Sequence, residues 1–206
     1  MAVKKESRRH RQRQAQATRE AVALAARRLF AEQGYVATSV EAISEAAAIP
    51  VPTIYSAFGN KPAILEEARR LWITETDVEN LYRRAVTTPD VEKRLRLAAQ
   101  WTRRQFELGY DVISIYQEAA RADPRVAGVW RQVMLRREAA VSELLESMKG
   151  RLRRGLTLRQ ALELYVTWTL PEVYRTLVLE RSWSPNKYEH WLADLLIREF
   201  LGGSRK

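Results

Sequence analysis

The chain predicts an all-α fold, a small head of three helices joined by a fourth to a larger helical bundle, about nine helices in all. Three observations carry this. Helical periodicity runs through nearly the whole sequence, no segment sustains strand-like alternation, and chain breakers are few, with 8 Gly and 7 Pro in 206 residues. Hydrophobic residues at 46% and charged residues at 29% supply enough apolar surface for a sizeable core.

The elements follow in order. Val22, Ala25, Ala26, Leu29 and Phe30 lie on one face of a first helix over about 17–33, which Gly34 stops. Ser39 caps a short second helix that turns Val40, Ile43 and Ala47 inward. After the break Ala48-Ile49-Pro50 comes a short third helix over 51–58, ended by Gly59-Asn60. Lys61-Pro62 opens a much longer fourth, because proline is tolerated in a first turn. Thr87 to Asp90 reads as a loop and cap, followed by helices over 89–108 and 110–121. Asp123-Pro124 starts another that runs to about Lys149, and 150–155 is a basic connector. Thr157 caps the next helix, which Pro171 kinks or breaks. Ser184-Pro185 starts the last, with Tyr188, Trp191, Leu192, Leu195 and Leu196 on its apolar side, and 202–206 is a frayed tail. The expected organisation is a basic disordered arm at 1–16, a head at 17–62, a body at 63–201 and the tail.

Charge and residue usage narrow the function. The net charge is +10, and Lys4, Lys5, Arg8, Arg9, Arg11, Arg13 and Arg19 are opposed in their stretch only by Glu6. Such an arm follows phosphates or enters a minor groove. There is no Cys, which excludes disulfides, thiolate metal sites and a cysteine nucleophile and suits a reducing, cytoplasmic setting. The start lacks the apolar stretch of a signal peptide, and no stretch approaches a membrane span. His10 and His190 are the only histidines, and no glycine loop cradles phosphate. No metal site, no cofactor and no catalytic residue are therefore expected, and the protein is not expected to be an enzyme.

Two short helices across a tight turn, the second small and solvent-facing, form a helix-turn-helix unit that reads double-stranded DNA. The run LFAEQGYVATSVEAISEAAAIPVPTIYSAFGNKPAIL makes the argument specific. It resembles the N-terminal domain of TetR/AcrR-type transcriptional regulators over about 18–65. The residues that carry the resemblance are Leu29, Phe30, Gly34 and Tyr35; Thr38, Ser39, Val40 and Ile43; and Thr53, Ile54, Tyr55, Phe58 and Lys61.

The resemblance implies that the third helix enters the major groove, with Thr53 and Tyr55 as principal contacts and Val51, Pro52 and Ser56 close by. Thr38 and Ser39 would offer hydroxyls to a phosphate at a helix N-terminus. Lys61 matches the family lysine that pairs with a phosphate, and Arg8, Arg9, Arg11 and Arg13 would extend the interface. Two departures stand out. The family usually has Gly where this chain has Ala48, and a left-handed Ala there costs about 1 kcal/mol. Pro50 and Pro52 replace small residues, so regular helix is expected to begin only at Pro52. The third helix also lacks Arg, Asn, Gln and Lys, the usual bidentate readers of G and A.

The family's C-terminal domain dimerises through its last two long helices and encloses a ligand cavity. By that resemblance Leu158, Leu162, Tyr165, Tyr174, Trp191 and Leu195 are candidates for a homodimer interface. Trp101, Phe106, Tyr110, Tyr116, Trp130, Met134 and Trp168 are candidates to line a pocket for a small apolar or aromatic effector. The implied function is a repressor that binds a palindromic operator as a dimer and is released by the effector. The alternative is a DNA-binding protein of the same fold with no effector, constitutive or activating.

Overall fold

The computed structural model of the protein describes residues 2–202, without the side chains of 2–5 and of Arg8. Arg8 as a candidate contact, and the tail beyond Gly202, therefore fall outside the described residues. Among these there is no strand; ten α-helices follow one another. They are α1 Ala2–Gln33, α2 Val40–Ala47, α3 Val51–Phe58, α4 Lys61–Glu75, α5 Val78–Thr87, α6 Val91–Ala122, α7 Pro124–Glu146, α8 Leu158–Trp168, α9 Pro171–Tyr174 and α10 Pro185–Ile197.

Three differences from the sequence expectation have local causes. Helix α1 extends back to Ala2, through the stretch expected to be a disordered arm. That stretch contains no Gly or Pro and is rich in Lys, Arg and Gln, with two Ala and one Glu, all strong helix formers. The long fourth helix divides at Thr76-Asp77, where Thr76 is buried and Asp77 takes a left-handed conformation (φ 51°). Helix α3 includes Val51 as its first residue, after Pro50. A first-turn proline removes only an N–H that has no intrahelical partner, so Pro52 does not displace the start.

Two breaks fall at the expected places. Gly109 (φ −144°, ψ 15°) interrupts α6, separating its first part from residues 110–122. Pro171 ends α8 and begins α9, which passes into a wider π-helical turn over Arg175–Glu180.

The chain forms two compact units. One comprises residues 1–75 and 111–130, the other 76–110 and 131–206. In the first unit, Val22, Ala26, Phe30, Ile43, Ile54 and Ile64 form a close-packed centre shared by α1 to α4. Residues 111–122 add Val112, Ile115, Tyr116 and Ala119. In the second unit, Leu95, Ala98, Leu144, Tyr165, Tyr188 and Leu192 are buried. Thr157 and Gln160 close a capping box at the start of α8, and Ser184 caps α10 through the Lys187 N–H.

Candidate nucleic-acid interface

The helix-turn-helix is built around one left-handed residue. Ala48 (φ 54°, ψ 38°) follows α2, and the Ile49 N–H donates to the Ser44 carbonyl at 3.1 Å. The Ser44 hydroxyl closes the turn on the Ile49 carbonyl at 2.6 Å. The turn thus takes the left-handed geometry that glycine adopts most readily, with the alanine strain retained. Pro50 leads into α3, whose Ile54 and Phe58 face inward and are buried.

Helical spacing then puts the other side of α3 in solvent. Pro52, Thr53, Tyr55 and Ser56 are exposed, Tyr55 at 48%, and Val51 is half-buried. An aromatic ring half exposed beside two hydroxyls can stack on sugars, contact thymine methyls and exchange hydrogen bonds with base edges. The helix carries no charge of its own.

What aims α3 is a set of clamps that sequence reasoning missed. The Arg19 guanidinium donates to the Ala57 carbonyl at 2.5 Å and to Glu67 Oε2 at 3.1 Å, and lies 4.3 Å over the Phe58 ring. The sequence groups Arg19 with the arm, where it counts only as charge. Its place on α1, one helical turn before Val22 and Ala23, is the signal that could have found it. Glu67 also accepts from Arg70 at 2.6 Å. Hydrogen bonding from Arg70, against the cost of burial and with help from Arg19, holds its carboxyl below the ordinary range.

Two expected phosphate contacts are placed differently. Thr38 is buried, and its hydroxyl donates to the Gly34 carbonyl at 2.8 Å. It therefore has no surface to present to a phosphate. Lys61 is half-buried, its Nζ donating to the carbonyls of Tyr35 (2.8 Å) and Thr38 (2.9 Å) and lying 4.4 Å from the Tyr35 ring centre. Burial pushes its ammonium down, and burial likewise pushes the Tyr35 hydroxyl up to about 12. Lys61 staples the α1–α2 turn to the start of α4, because its first-turn position lets the stem reach back across carbonyls that have no helical partner.

Ser39 remains exposed. Its oxygen accepts the Ala42 N–H at 3.0 Å, leaving the hydroxyl proton to donate outward at the start of α2. Arg9, Arg11 and Arg13 are exposed on the first turns of α1, with Arg11 donating to Ser7 Oγ at 3.2 Å.

The aromatic residues expected to line a pocket are divided between the units. Tyr116 and Trp130 stack on each other in the first unit, with ring centres 5.5 Å apart, and the Tyr116 hydroxyl donates to Glu66 at 2.8 Å. In the second unit Trp101 packs on Tyr82, Phe106 on Tyr174, Tyr110 on Tyr174 and Trp168 on Phe200, while Met134 is half-buried. Two open grooves of about 340 and 420 Å³ in this unit are lined by other residues, including Arg153, Gln160 and Thr167 in one and Asp90, Glu92 and Arg151 in the other.

Of the interface candidates, Tyr165 and Tyr174 are buried within their own chain, where no partner could touch them. Leu158, Leu162, Trp191 and Leu195 keep part of their surface. Leu170 and Leu179 are exposed at 43% and 56% and do not stand out in the sequence, because they sit at and after the Pro171 break, where helical phase changes. Among the described residues no group of three or more His, Cys, Asp or Glu could hold a metal, and no helix is long and apolar enough to cross a membrane.

Comparison with known proteins bears on the fold. Residues 24–68 match the family described as bacterial regulatory proteins, tetR family. Solved structures share the fold along almost the whole chain. The fatty acid degradation regulator FadR from Bacillus halodurans is 22% identical, with a TM-score of 0.71, over 91% of this chain and 96% of its own. NalD, the secondary repressor of the MexAB-OprM multidrug efflux pump in Pseudomonas aeruginosa, is 22% identical, with a TM-score of 0.70, over 91% and 98%. A transcriptional regulator from Saccharomonospora viridis in complex with choline is 18% identical, with a TM-score of 0.70, over 90% and 98%. No curated protein sequence matches the chain.

Proposed function

We propose, from the chain's membership of the tetR family of bacterial regulatory proteins, that it is a dimeric repressor which binds a palindromic operator and is released by a small molecule. The observation that carries the reading is the outward face of α3, where Pro52, Thr53, Tyr55 and Ser56 stand clear of a core that fixes Ile54 and Phe58. Tyr55 and Thr53 act as the principal contacts, Val51, Pro52 and Ser56 border them, and Ser39 donates to a phosphate at the start of α2. Thr38 and Lys61 position that surface from beneath.

A neutral recognition helix gains its affinity elsewhere. Arg9, Arg11 and Arg13 on α1 supply it by tracking phosphates. Two such heads on a twofold dimer would meet half-sites one helical turn apart. The partly exposed residues of α8 and α10 support pairing there. Solved relatives of this fold include one bound to choline, which supports an effector acting on the body by favouring one dimer shape over another. Such a protein acts in the cytoplasm, beside the genome.

Selection of bound sequences from random DNA tests the reading. A recovered palindrome, with Tyr55→Ala weakening its binding about tenfold or more, is the expected result. Recovery of no preferred sequence, or unchanged affinity for Tyr55→Ala, would overturn it. If a palindrome is found but no compound ever weakens its binding, the effector is lost and a constitutive DNA-binding protein remains.

A further inference from the structure

The outward face of α3 carries hydroxyls and apolar surface but no forked polar group. Helical spacing sets its exposed side chains in the order Tyr55, Pro52, Ser56, Thr53 across an arc of about 160°. The neighbouring groups that could replace a fork are already occupied. Asn60 Oδ1 accepts the Ala63 N–H at 3.0 Å, which leaves that side chain only as a donor. Lys61 is held on the Tyr35 and Thr38 carbonyls, and the Arg19 guanidinium on the Ala57 carbonyl and Glu67. Glu41 and Glu45 belong to α2.

The start of α3 also lacks the usual row of amide donors for a phosphate. Pro50 and Pro52 have no N–H, and the N–H groups of Thr53 and Ile54 both donate to the Pro50 carbonyl, at 2.9 and 3.1 Å. What α3 can distinguish is therefore limited to what its side chains meet. Bidentate donor–acceptor pairs single out G and A, and this helix has none. A hydroxyl discriminates weakly, because it rotates to donate or to accept. The thymine 5-methyl group is the apolar feature that base pairs present in the major groove. The Thr53 methyl, the Pro52 ring and the half-exposed Tyr55 ring supply the surface that fits it. Burying one such methyl is worth about fourfold in affinity.

We infer that α3 reads pyrimidine 5-methyl groups, with Thr53 and Tyr55 as the specificity-determining residues, so that thymines mark the half-site where these two residues lie. This rests on the reading of that face as the DNA contact. A hydroxyl donates to the thymine O4 and accepts from the cytosine amino group with equal ease, so 5-methylcytosine substitutes for thymine at such a position.

The test uses the full chain, equilibrium binding and the palindrome that selection recovers. Each thymine of the half-site is replaced in turn, in both halves together, by uracil, cytosine and 5-methylcytosine. At one position or more, uracil should weaken binding about fivefold or more, and 5-methylcytosine should bind about fivefold or more tightly than cytosine. Thr53→Ser keeps the hydroxyl and removes the methyl. Either it or Tyr55→Ala should at least halve the uracil penalty, and Thr53→Ser keeps binding measurable if Tyr55→Ala does not. Smaller uracil penalties at every position, or a smaller gain from cytosine methylation, would overturn the inference. A uracil penalty more than half retained in the variants would also overturn it, by assigning the effect of the methyl to DNA shape. All three results leave the operator reading standing. Recovery of no preferred sequence overturns that reading, and the inference with it.

Discussion

Arg27 and Asp111 form a two-pronged ion pair, Nε to Oδ2 at 2.6 Å and Nη2 to Oδ1 at 2.8 Å, joining α1 to the residue that follows the Gly109 break by two positions. Further ties run between residues 111–122 and the rest of the first unit. Tyr116 bonds Glu66 on α4, and the Val36 N–H lies 3.4 Å from Glu118. Residues 111–122 are therefore tied into the same compact unit as the head.

Because both partners are only partly exposed and the geometry is bidentate, the pair should be worth more than an ordinary surface ion pair. A double-mutant cycle with Arg27→Met and Asp111→Asn, read by urea unfolding, is expected to give a coupling of about 1–2 kcal/mol. A coupling near zero would mean that the helix segment is held by Val112 and Ile115 alone.

Variants of Lys61 and Tyr55 test stability and the proposed recognition separately. Lys61→Met removes the donor that satisfies the Tyr35 and Thr38 carbonyls and should cost about 1–3 kcal/mol in chemical denaturation. Tyr55→Ala removes an exposed ring and should leave the unfolding free energy within about 0.5 kcal/mol of its value. If Lys61→Met weakened DNA binding without any loss of stability, the staple would not be its principal task.

Positive φ angles make opposite predictions at two positions. Ala48→Gly relieves left-handed strain and, after the larger unfolded-state entropy of glycine, should stabilise by up to about 1 kcal/mol. Gly34→Ala should destabilise. Its φ is +86°, and a Cβ there would meet Glu118 Oε1 at 2.9 Å. Thermal midpoints of the two variants, measured together, check both signs.

Glu67 predicts how the head responds to acid. Its folded pKa lies below the usual 4.5, chiefly through the hydrogen bond from Arg70, so the unfolded chain binds its proton more readily. The stabilisation is complete above the ordinary pKa and is lost as pH falls through the folded one. Glu67→Gln should therefore be less stable than the parent near neutrality, and the difference should shrink as pH falls below the usual 4.5. A difference independent of pH would assign the effect to packing.

Removal of residues 1–16 takes away Lys4, Lys5, Arg8, Arg9, Arg11 and Arg13. If these cations follow DNA phosphates, the slope of log affinity against log salt should fall by about 0.9 for each phosphate that is no longer neutralised. An unchanged slope would make this stretch of α1 a bystander.

Several parts of this architecture are legible residue by residue. Ser39, Thr157 and Ser184 announce helix starts because their side chains bond the backbone three residues on, a local act. Gly109 and Pro171 announce breaks for equally local reasons. The alternation of Ile54 and Phe58 with Thr53 and Tyr55 separates the inner and outer faces of α3. Illegible parts involve distant partners. The break at Asp77 has no glycine or proline to mark it. Thr38 and Lys61 look like surface donors until carbonyls around the α1–α2 turn claim them, and Arg19 becomes a clamp only once α3 and α4 stand beside it.

By itself, then, the sequence determined the helical class, the helix-turn-helix and the exposed face of α3, because periodicity, caps and breakers act within one or two turns of chain. Tertiary structure alone decided how each cation is used. It put Lys61 on carbonyls, Arg27 on Asp111, Arg19 on Glu67 and Arg137 on the Thr169 carbonyl. The reason is physical: a charge takes its role from the groups within a few ångströms of it, and in a packed helical protein most of those come from other helices.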